Sequence, residues 1–151
     1  ETFGFTSAEL TQIVVPSSTK KIPTALESLA NEMDMHDVPI AILPSYLPDG
    51  YVESDFQYIE TSDSMDFYYF LENGISSITL FYSAYFDGQA PSQFEKDDVN
   101  PEQYECAGTM YYIMTNEGVY FAAWTADNIE CSIAGVETYE EIIKIIQSIG
   151  E

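Results

Sequence analysis

The sequence predicts an α+β fold, in which a curved antiparallel β-meander of about six strands packs on a C-terminal helix, with a further helix near the N-terminus. Three observations predict it. Apolar and aromatic blocks of strand length recur between residues 51 and 133. Tight-turn signals such as Asn73-Gly74 and Asp127-Asn128 separate these blocks, and strands joined by tight turns pair antiparallel. Residues 138–149 instead carry apolar residues at helical spacing.

The N-terminal part, residues 1–38, is predicted to be a helical arm, and residues 40–151 are predicted to form one compact domain. Pro23 suits the first turn of a helix, where its missing N–H costs nothing, and Val38-Pro39 ends that helix. The apolar residues between them at helical spacing are Leu26, Leu29 and Met33. The stretch 8–15 fits either a short helix or a strand.

The domain opens with the short apolar run 40–43 and a turn at Leu47–Tyr51, where proline presets φ and glycine accepts a positive φ. Residues 87–101, rich in acidic residues, glycine and proline, are predicted to be a loop. The predicted strands are 51–60, 66–71, 75–86, 104–115, 119–125 and 129–133.

The C-terminal helix has the strongest local signals. Thr138 and Glu141 match a capping box, and Gly150 follows as a stop. The apolar stripe consists of Ile142, Ile145, Ile146 and Ile149. Burying four isoleucines is worth roughly 6–12 kcal/mol in gross transfer terms, so this helix must lie on a sheet face.

Aromatic residues occupy both alternating sets of positions along the predicted strands. Phe67 and Tyr69 alternate with Tyr68 and Phe70, whereas a sheet with one face in water would alternate more cleanly. The second face is therefore expected to be covered by the N-terminal arm, by a partner or by a ligand. The residues proposed to contact such a ligand are Tyr68, Phe70, Tyr82, Tyr112, Tyr120 and Trp124.

Charge excludes one class of partner and indicates a compartment. The chain has 26 acidic and 4 basic residues, none of them arginine, for a net charge of −22. Binding to nucleic acid requires clustered Lys and Arg, so none is expected. No apolar run reaches membrane-spanning length, and anionic headgroups repel this charge, so no direct insertion in a membrane is expected. Because the sequence starts at Glu1 rather than Met, we expect a removed export signal or lipid anchor upstream.

Catalytic and metal-ligating residues are scarce. The single histidine, His36, is expected to cap the end of the N-terminal helix rather than to act as a base. Cys106 and Cys131 are expected to be buried free thiols, with one disulfide as the alternative. The acidic stretches 97–102 and 60–66 are expected to be solvated, with weak calcium binding as the alternative. We therefore expect no enzyme activity, cofactor or metal.

Several short motifs resemble those of an uncharacterised bacterial family, domain-of-unknown-function family 4367. They are Leu47-Pro48-Asp49-Gly50-Tyr51, Trp124, Asp127-Asn128, Ile133-x-Gly135 and the closing helix from Glu140 to Ile149. The resemblance covers roughly residues 40–150. It implies an extracytoplasmic domain of Gram-positive bacteria, associated with anti-sigma factors or surface sensors and similar to lipoprotein-carrier folds. It offers no active-site residues.

Together these observations favour a non-enzymatic extracytoplasmic sensor or interaction domain, on the cell surface or secreted, that binds an envelope protein. The alternative is a carrier of an apolar, lipid-like ligand on an aromatic concave sheet face.

Overall fold

Seven strands form one antiparallel sheet, with two helices packed on one of its faces, in a computed structural model that describes residues 1–6, 20–86 and 94–150. The helices are α1 (Glu27–Met35) and α2 (Tyr139–Ile149), and short 3-10 turns cover Thr24–Leu26 and Ile40–Ile42. The strands are β1 (Thr2–Phe3), β2 (Val52–Glu60), β3 (Ser64–Glu72), β4 (Ser77–Tyr85), β5 (Phe94–Glu95), β6 (Glu102–Cys106), β7 (Thr109–Asn116), β8 (Val119–Ala126) and β9 (Ile129–Val136).

The strand count differs from the prediction because the predicted strand 104–115 is two strands. It divides at Ala107-Gly108, where both residues have positive φ values of 51° and 84° and β6 folds back on β7. A two-residue hairpin of this kind requires a positive φ at both central positions. Alanine at the first position gives no such signal, so the sequence predicts one long strand in place of two.

The sheet order β2-β3-β4-β9-β8-β7-β6 shows two meanders joined by a crossing. After β4 the chain passes to the far edge, and β6 to β9 then return strand by strand until β9 pairs with β4. Gly135 permits that last pairing. Its φ is 90°, and a Cβ there would lie 2.3 Å from the carbonyl oxygen of Ser77.

Asn73-Gly74 forms a hairpin as predicted, although its loop spans the four residues 73–76 between Glu72 and Ser77. The Asn73 Oδ1 atom accepts hydrogen bonds from the backbone N–H groups of Ile75 (2.9 Å) and Ser76 (2.8 Å). The side chain therefore organises a wider turn than the two-residue form.

The predicted N-terminal helix is confirmed in α1. Leu26, Leu29 and Met33 are each 0% exposed, so its apolar stripe belongs to the main core. Asp37 has a φ of 58°, and the Val38 N–H donates to the Met33 carbonyl at 2.8 Å, which ends the helix in a Schellman motif. The predicted segment 8–15 lies outside the described residues.

The predicted C-terminal helix is confirmed in α2, and the buried isoleucines of its stripe face the sheet. Thr138 Oγ1 accepts from the Glu141 N–H at 3.2 Å, which is half of the predicted capping box. The Glu141 carboxylate instead accepts a hydrogen bond from the Tyr46 hydroxyl at 2.7 Å. At the other end, Lys20 Nζ donates to the carbonyls of Ser148 and Ile149, where a cation complements the helix dipole.

The sheet has a helix face and an outer face. The helix face joins α1 and α2 in one buried cluster, to which Phe67, Leu80 and Ile133 belong. The outer face carries the alternate residues, and one cross-strand row on it runs through Gln57, Tyr68, Phe81, Ser132, Ala123, Tyr112 and Gln103.

Candidate functional site

The six aromatic residues proposed from the sequence do not share a face, so the prediction of one aromatic ligand surface is wrong. Tyr68, Phe70 and Tyr112 lie half-buried on the outer face. Tyr82, Tyr120 and Trp124 belong to the helix-face cluster. Side-chain direction alternates along each strand, so the shared face depends on the register of each hairpin. Tyr82 lies opposite Phe67 rather than Tyr68, and Tyr112 lies opposite Ala123 rather than Trp124. Because both alternating sets of positions are aromatic, the sequence did not fix these registers.

Two of the three helix-face aromatics are core residues. Tyr82 is 0% exposed and Trp124 is 1% exposed. The Trp124 ring packs against Tyr111 at a centroid distance of 5.2 Å and against Tyr82 at 6.3 Å. Burial raises the pKa of Tyr82 well above its usual value. A ligand cannot reach these rings unless the helices leave the sheet.

Tyr120 lies at the rim of the same core. Its ring contacts that of Tyr139, in the first turn of α2, at a centroid distance of 6.0 Å. The Tyr139 hydroxyl donates to Glu102 at 2.6 Å, and this hydrogen bond raises the pKa of Tyr139 to about 12. These contacts hold the start of α2 against β8 and the edge strand β6.

On the outer face, a short N-terminal segment covers part of strands β7 and β8. We call the surface formed by Tyr112, Met114, Phe121 and Ala123 the β7–β8 patch. Phe5, which is 5% exposed, forms one buried cluster with Met114, Phe121 and Ala123, and Phe3 and Tyr112 pack against that cluster. The ring centroids of Phe3 and Phe5 lie 5.0 and 5.7 Å from that of Tyr112. Coverage by the arm, one of the three predicted possibilities, is therefore present over this part of the face.

The same segment is held by its main chain and by an ion pair. Strand β1 pairs antiparallel with β5, with Thr2 opposite Glu95 and Phe3 opposite Phe94. The Lys96 Nζ atom lies 2.6 Å from Glu1 Oε2, and the Lys96 side chain is only 5% exposed. Lys96 also donates to the carbonyls of Asp97 and Val99. The hydrogen bond and charge of Lys96 lower the pKa of the Glu1 carboxyl.

Asp97 fixes the β5 segment to the sheet. Its N–H donates to the Thr115 carbonyl at 2.8 Å, and its Oδ1 accepts from the Glu117 N–H at 3.0 Å. The hydrogen bond from the Glu117 N–H lowers the pKa of Asp97. The carboxylate therefore caps the β7–β8 turn and places Lys96 beside the N-terminal segment.

A polar row crosses the outer face beside the aromatic one. Asp66 Oδ1 accepts from Ser83 Oγ at 2.5 Å, and Ser83 lies opposite Glu130 on β9. Glu130 is 0% exposed, and the Tyr85 hydroxyl lies 3.5 Å from its Oε1. Sequence reasoning did not single out Glu130. The aromatic residues on both strand parities were the available signal that this face is not in plain solvent.

The turn at Leu47–Tyr51 and the two residues before it contact α2 and the β3–β4 loop. Ser148 Oγ accepts hydrogen bonds from the N–H groups of Ser45 (3.0 Å) and Tyr46 (3.1 Å). The Tyr51 hydroxyl lies 2.7 Å from Ser76 Oγ, which ties the turn before β2 to the β3–β4 loop. These contacts are structural, because they join main-chain segments rather than converge on a free volume.

A cleft of about 160 Å³ lies between that turn and the start of α2. Its lining includes the carboxylate residues Asp49, Glu137 and Glu141, together with Tyr51 and Thr138. Sites for drug-sized ligands are typically roughly 300–1,000 Å³, so this cleft is too small for a lipid. Its carboxylates also disfavour an anion.

His36 is the C-cap residue of α1, as predicted. Its ring stacks on Tyr58 at a centroid distance of 4.3 Å, and its Nδ1 lies 3.3 Å from the Tyr58 hydroxyl. Burial, together with a hydrogen bond to Glu60, raises the pKa of Tyr58 to about 12. The His36 ring also packs edge-on toward Phe67, at a centroid distance of 6.1 Å.

The two cysteines are free thiols, and the disulfide alternative is not formed. Cys131 is buried as expected, whereas Cys106 is half-buried. Burial raises the pKa of Cys131 well above its usual value, which keeps it as an unreactive thiol.

The acidic stretches are occupied by hydrogen bonds within the protein. Asp97 caps the β7–β8 turn, Asp66 accepts from Ser64 and Ser83, and Glu60 accepts from Tyr58. Among residues 1–6, 20–86 and 94–150, no three His, Cys, Asp or Glu side chains are grouped so as to hold a metal ion. Within the same residues, no helix is long and apolar enough to cross a membrane.

The fold defines the class of this protein as an α+β domain: an antiparallel sheet with helices on one face and a short strand of the same chain on the other. The family model described as a domain of unknown function (DUF4367) matches residues 41–149. The chain therefore belongs to this family. A comparison with curated proteins gave no match.

Proposed function

We propose that this protein is a non-enzymatic sensor or interaction domain of the bacterial cell envelope, and that it binds a protein partner through the outer face of its sheet. One observation carries the proposal. Residues 1–5, which lie outside the range matched by the family model, form an extended segment that packs on that face. The outer face can therefore hold an extended polypeptide.

The remainder of the outer face has the composition of an interaction surface. Tyr68 and Phe81 pack with ring centroids 4.9 Å apart, and Tyr68 and Phe70 are half-buried. Aromatic residues are enriched in protein interfaces because they supply a large contact area at a small cost in conformational entropy. The extracytoplasmic location rests on the family resemblance and on the net charge of −22, which repels an anionic membrane surface.

A carrier of an apolar ligand is the second candidate. The half-buried aromatics Tyr68, Phe70 and Tyr112 on the outer face support it. Tyr82 and Trp124, which a carrier was expected to use, lie in the interior and weaken it. The interaction role is the better supported of the two.

Photo-cross-linking in the organism that encodes the protein tests the proposal. A photoreactive amino acid replaces Phe70 on the outer face, and the control carries it at Met35, which is 75% exposed at the end of α1. We expect a discrete protein adduct from position 70 and none from position 35. The same adducts from both positions would contradict a specific outer-face interaction.

Two further measurements separate the alternatives. Protease treatment of intact cells should degrade an extracytoplasmic domain, whereas a protected chain would refute the location. Native mass spectrometry of protein purified from its own envelope should show the bare chain. A retained adduct of lipid mass would favour the carrier over the interaction domain.

A further inference from the structure

The N-terminal segment contacts the sheet as a bound peptide does. Its main chain pairs with β5 in a two-stranded ladder separate from the seven-stranded sheet, with Thr2 and Phe3 opposite Glu95 and Phe94. Proteins that bind peptides by strand addition gain affinity from main-chain hydrogen bonds and specificity from alternate side chains. Here the alternate side chains are Phe3 and Phe5, and both enter the cluster on the β7–β8 patch.

Lys96 adds a charged contact at the start of the segment. The Lys96 ammonium lies 2.6 Å from the Glu1 carboxylate, and the backbone N–H of Lys96 donates to the Glu1 carbonyl at 3.4 Å. The Lys96 side chain is 5% exposed, although the chain has only four basic residues. With residues 1–6 in place, the Glu1 carboxylate offsets the cost of covering this ammonium.

The binding surface and its occupant come from different parts of the chain. Lys96 and the β7–β8 patch lie inside residues 41–149, which the family model matches, and Glu1 to Phe5 lie outside. Residues 41–149 therefore supply the main chain of β5, the Lys96 ammonium and the β7–β8 patch, and residues 1–5 occupy all three.

We propose that β5, Lys96 and the β7–β8 patch form a docking site for an extended segment of a partner envelope protein. The segment carries a carboxylate followed by two aromatic residues at alternate positions, in the order acid-x-aromatic-x-aromatic. Residues 1–5 are the internal occupant with which that segment competes. The inference rests on the proposed function, since it names the class of partner.

The geometry sets the requirements on such a ligand. The acid pairs with Lys96, and the residues at the second and fourth positions after it contact the patch, as Phe3 and Phe5 do. An internal competitor acts at an effective concentration on the order of millimolar. If the internal segment has an intrinsic dissociation constant near 100 µM, that competitor weakens the apparent binding of an external peptide about tenfold.

The test uses the full chain and a fluorescent peptide of residues 1–6, acetylated at its N-terminus. The double variant F3A/F5A removes the internal competitor, and circular dichroism establishes that it is folded. Fluorescence anisotropy should show saturable binding to F3A/F5A and at least tenfold weaker binding to the wild-type chain. A peptide with both phenylalanines replaced by alanine should not bind.

Charge is tested on both sides of the contact. In the F3A/F5A background, Lys96→Met should weaken binding at least fivefold, whereas the matched change Lys144→Met should have no effect, because Lys144 is 60% exposed on α2. A peptide carrying Glu1→Gln should bind more weakly to F3A/F5A than the unchanged peptide does. When F3A/F5A also carries Lys96→Met, the two peptides should bind equally. Equal binding by the wild-type and F3A/F5A chains, or no binding by folded F3A/F5A at millimolar peptide, would overturn the assignment.

A second measurement does not depend on the double variant. Millimolar unlabelled peptide added to the wild-type chain should speed hydrogen exchange in residues 2–5 without speeding it in β2 to β4. Unchanged exchange would overturn the proposal. A wild-type dimer that the peptide dissociates would assign the site to a second copy of the chain instead.

The outcome for the docking site is distinguishable from that for the proposed function. If the peptide fails to bind while position 70 still cross-links to a protein, the partner uses another part of the outer face. If the peptide binds while position 70 gives no adduct, the docking site stands and the proposed partner surface around Phe70 is wrong.

Discussion

Ser148 joins α2 to the segment that precedes β2, and its replacement by alanine should lower stability measurably. Ser148 is 4% exposed, and its Oγ accepts the N–H groups of Ser45 and Tyr46 at 3.0 and 3.1 Å. The variant S148A leaves both donors without that acceptor while removing little volume.

The expected loss follows from the two donors. An unsatisfied buried donor costs about 1–3 kcal/mol. Ser45 and Tyr46 are only half-buried, so water reaches part of them and the low end of that range applies, giving about 2–3 kcal/mol for the pair. Alanine regains about 0.5 kcal/mol in helix propensity. The net loss in the free energy of unfolding should be about 1.5–2.5 kcal/mol.

Urea unfolding followed by circular dichroism measures this loss. The matched control is Gln147→Ala in the same helix turn, where an exposed side chain loses one hydrogen bond to Tyr104. That variant should remain within about 0.5 kcal/mol of the wild type. If S148A loses no more than Q147A, the argument that Ser148 satisfies both donors is refuted.

Three further outcomes are expected. Gly118→Ala should lower the free energy of unfolding by about 1–2 kcal/mol, for its positive φ alone. Gly135→Ala should lower it by about 2–5 kcal/mol, because its Cβ would lie 2.3 Å from a carbonyl oxygen. Equal losses in urea unfolding would contradict that close contact. Trp124 is 1% exposed, so acrylamide should quench its fluorescence only after unfolding, and strong quenching of the native protein would place the ring elsewhere. The hydrogen bond to Glu141 raises the pKa of Tyr46 to about 12, so the stabilisation from this bond is complete below pH 10 and is lost as the pH rises through 12. Tyr46→Phe should flatten the pH dependence of the free energy of unfolding in that window. An unchanged profile would count against the hydrogen bond.

The local elements were predictable because their signals are local. The stripe and cap of α2, the apolar spacing of α1 and the turn at Asn73-Gly74 each depend on a few neighbouring residues. The division between β6 and β7 was missed because Ala107, with a φ of 51°, holds a conformation for which alanine gives no sequence signal.

The candidate site was only half predictable. Aromatic residues on both strand parities indicated that the outer face is covered, and the N-terminal arm, one of the named possibilities, covers its part over β7 and β8. The individual residues were assigned wrongly because Trp124 and Tyr112 lie on opposite faces once β7, β8 and β9 are placed in register. Lys96 had no local signal at all, since its partner Glu1 is 95 positions away.

Composition, short motifs and periodic patterns were sufficient to predict the fold class, the family and the absence of clustered cations, because this information lies within single elements. The strand order, with β9 against β4, and the placement of Phe3 and Phe5 on the β7–β8 patch became visible only in the folded chain. Non-local pairing depends on which apolar faces best exclude water together, and on close contacts such as Gly135 against Ser77. Those contacts join residues far apart in the chain, where no local pattern records them.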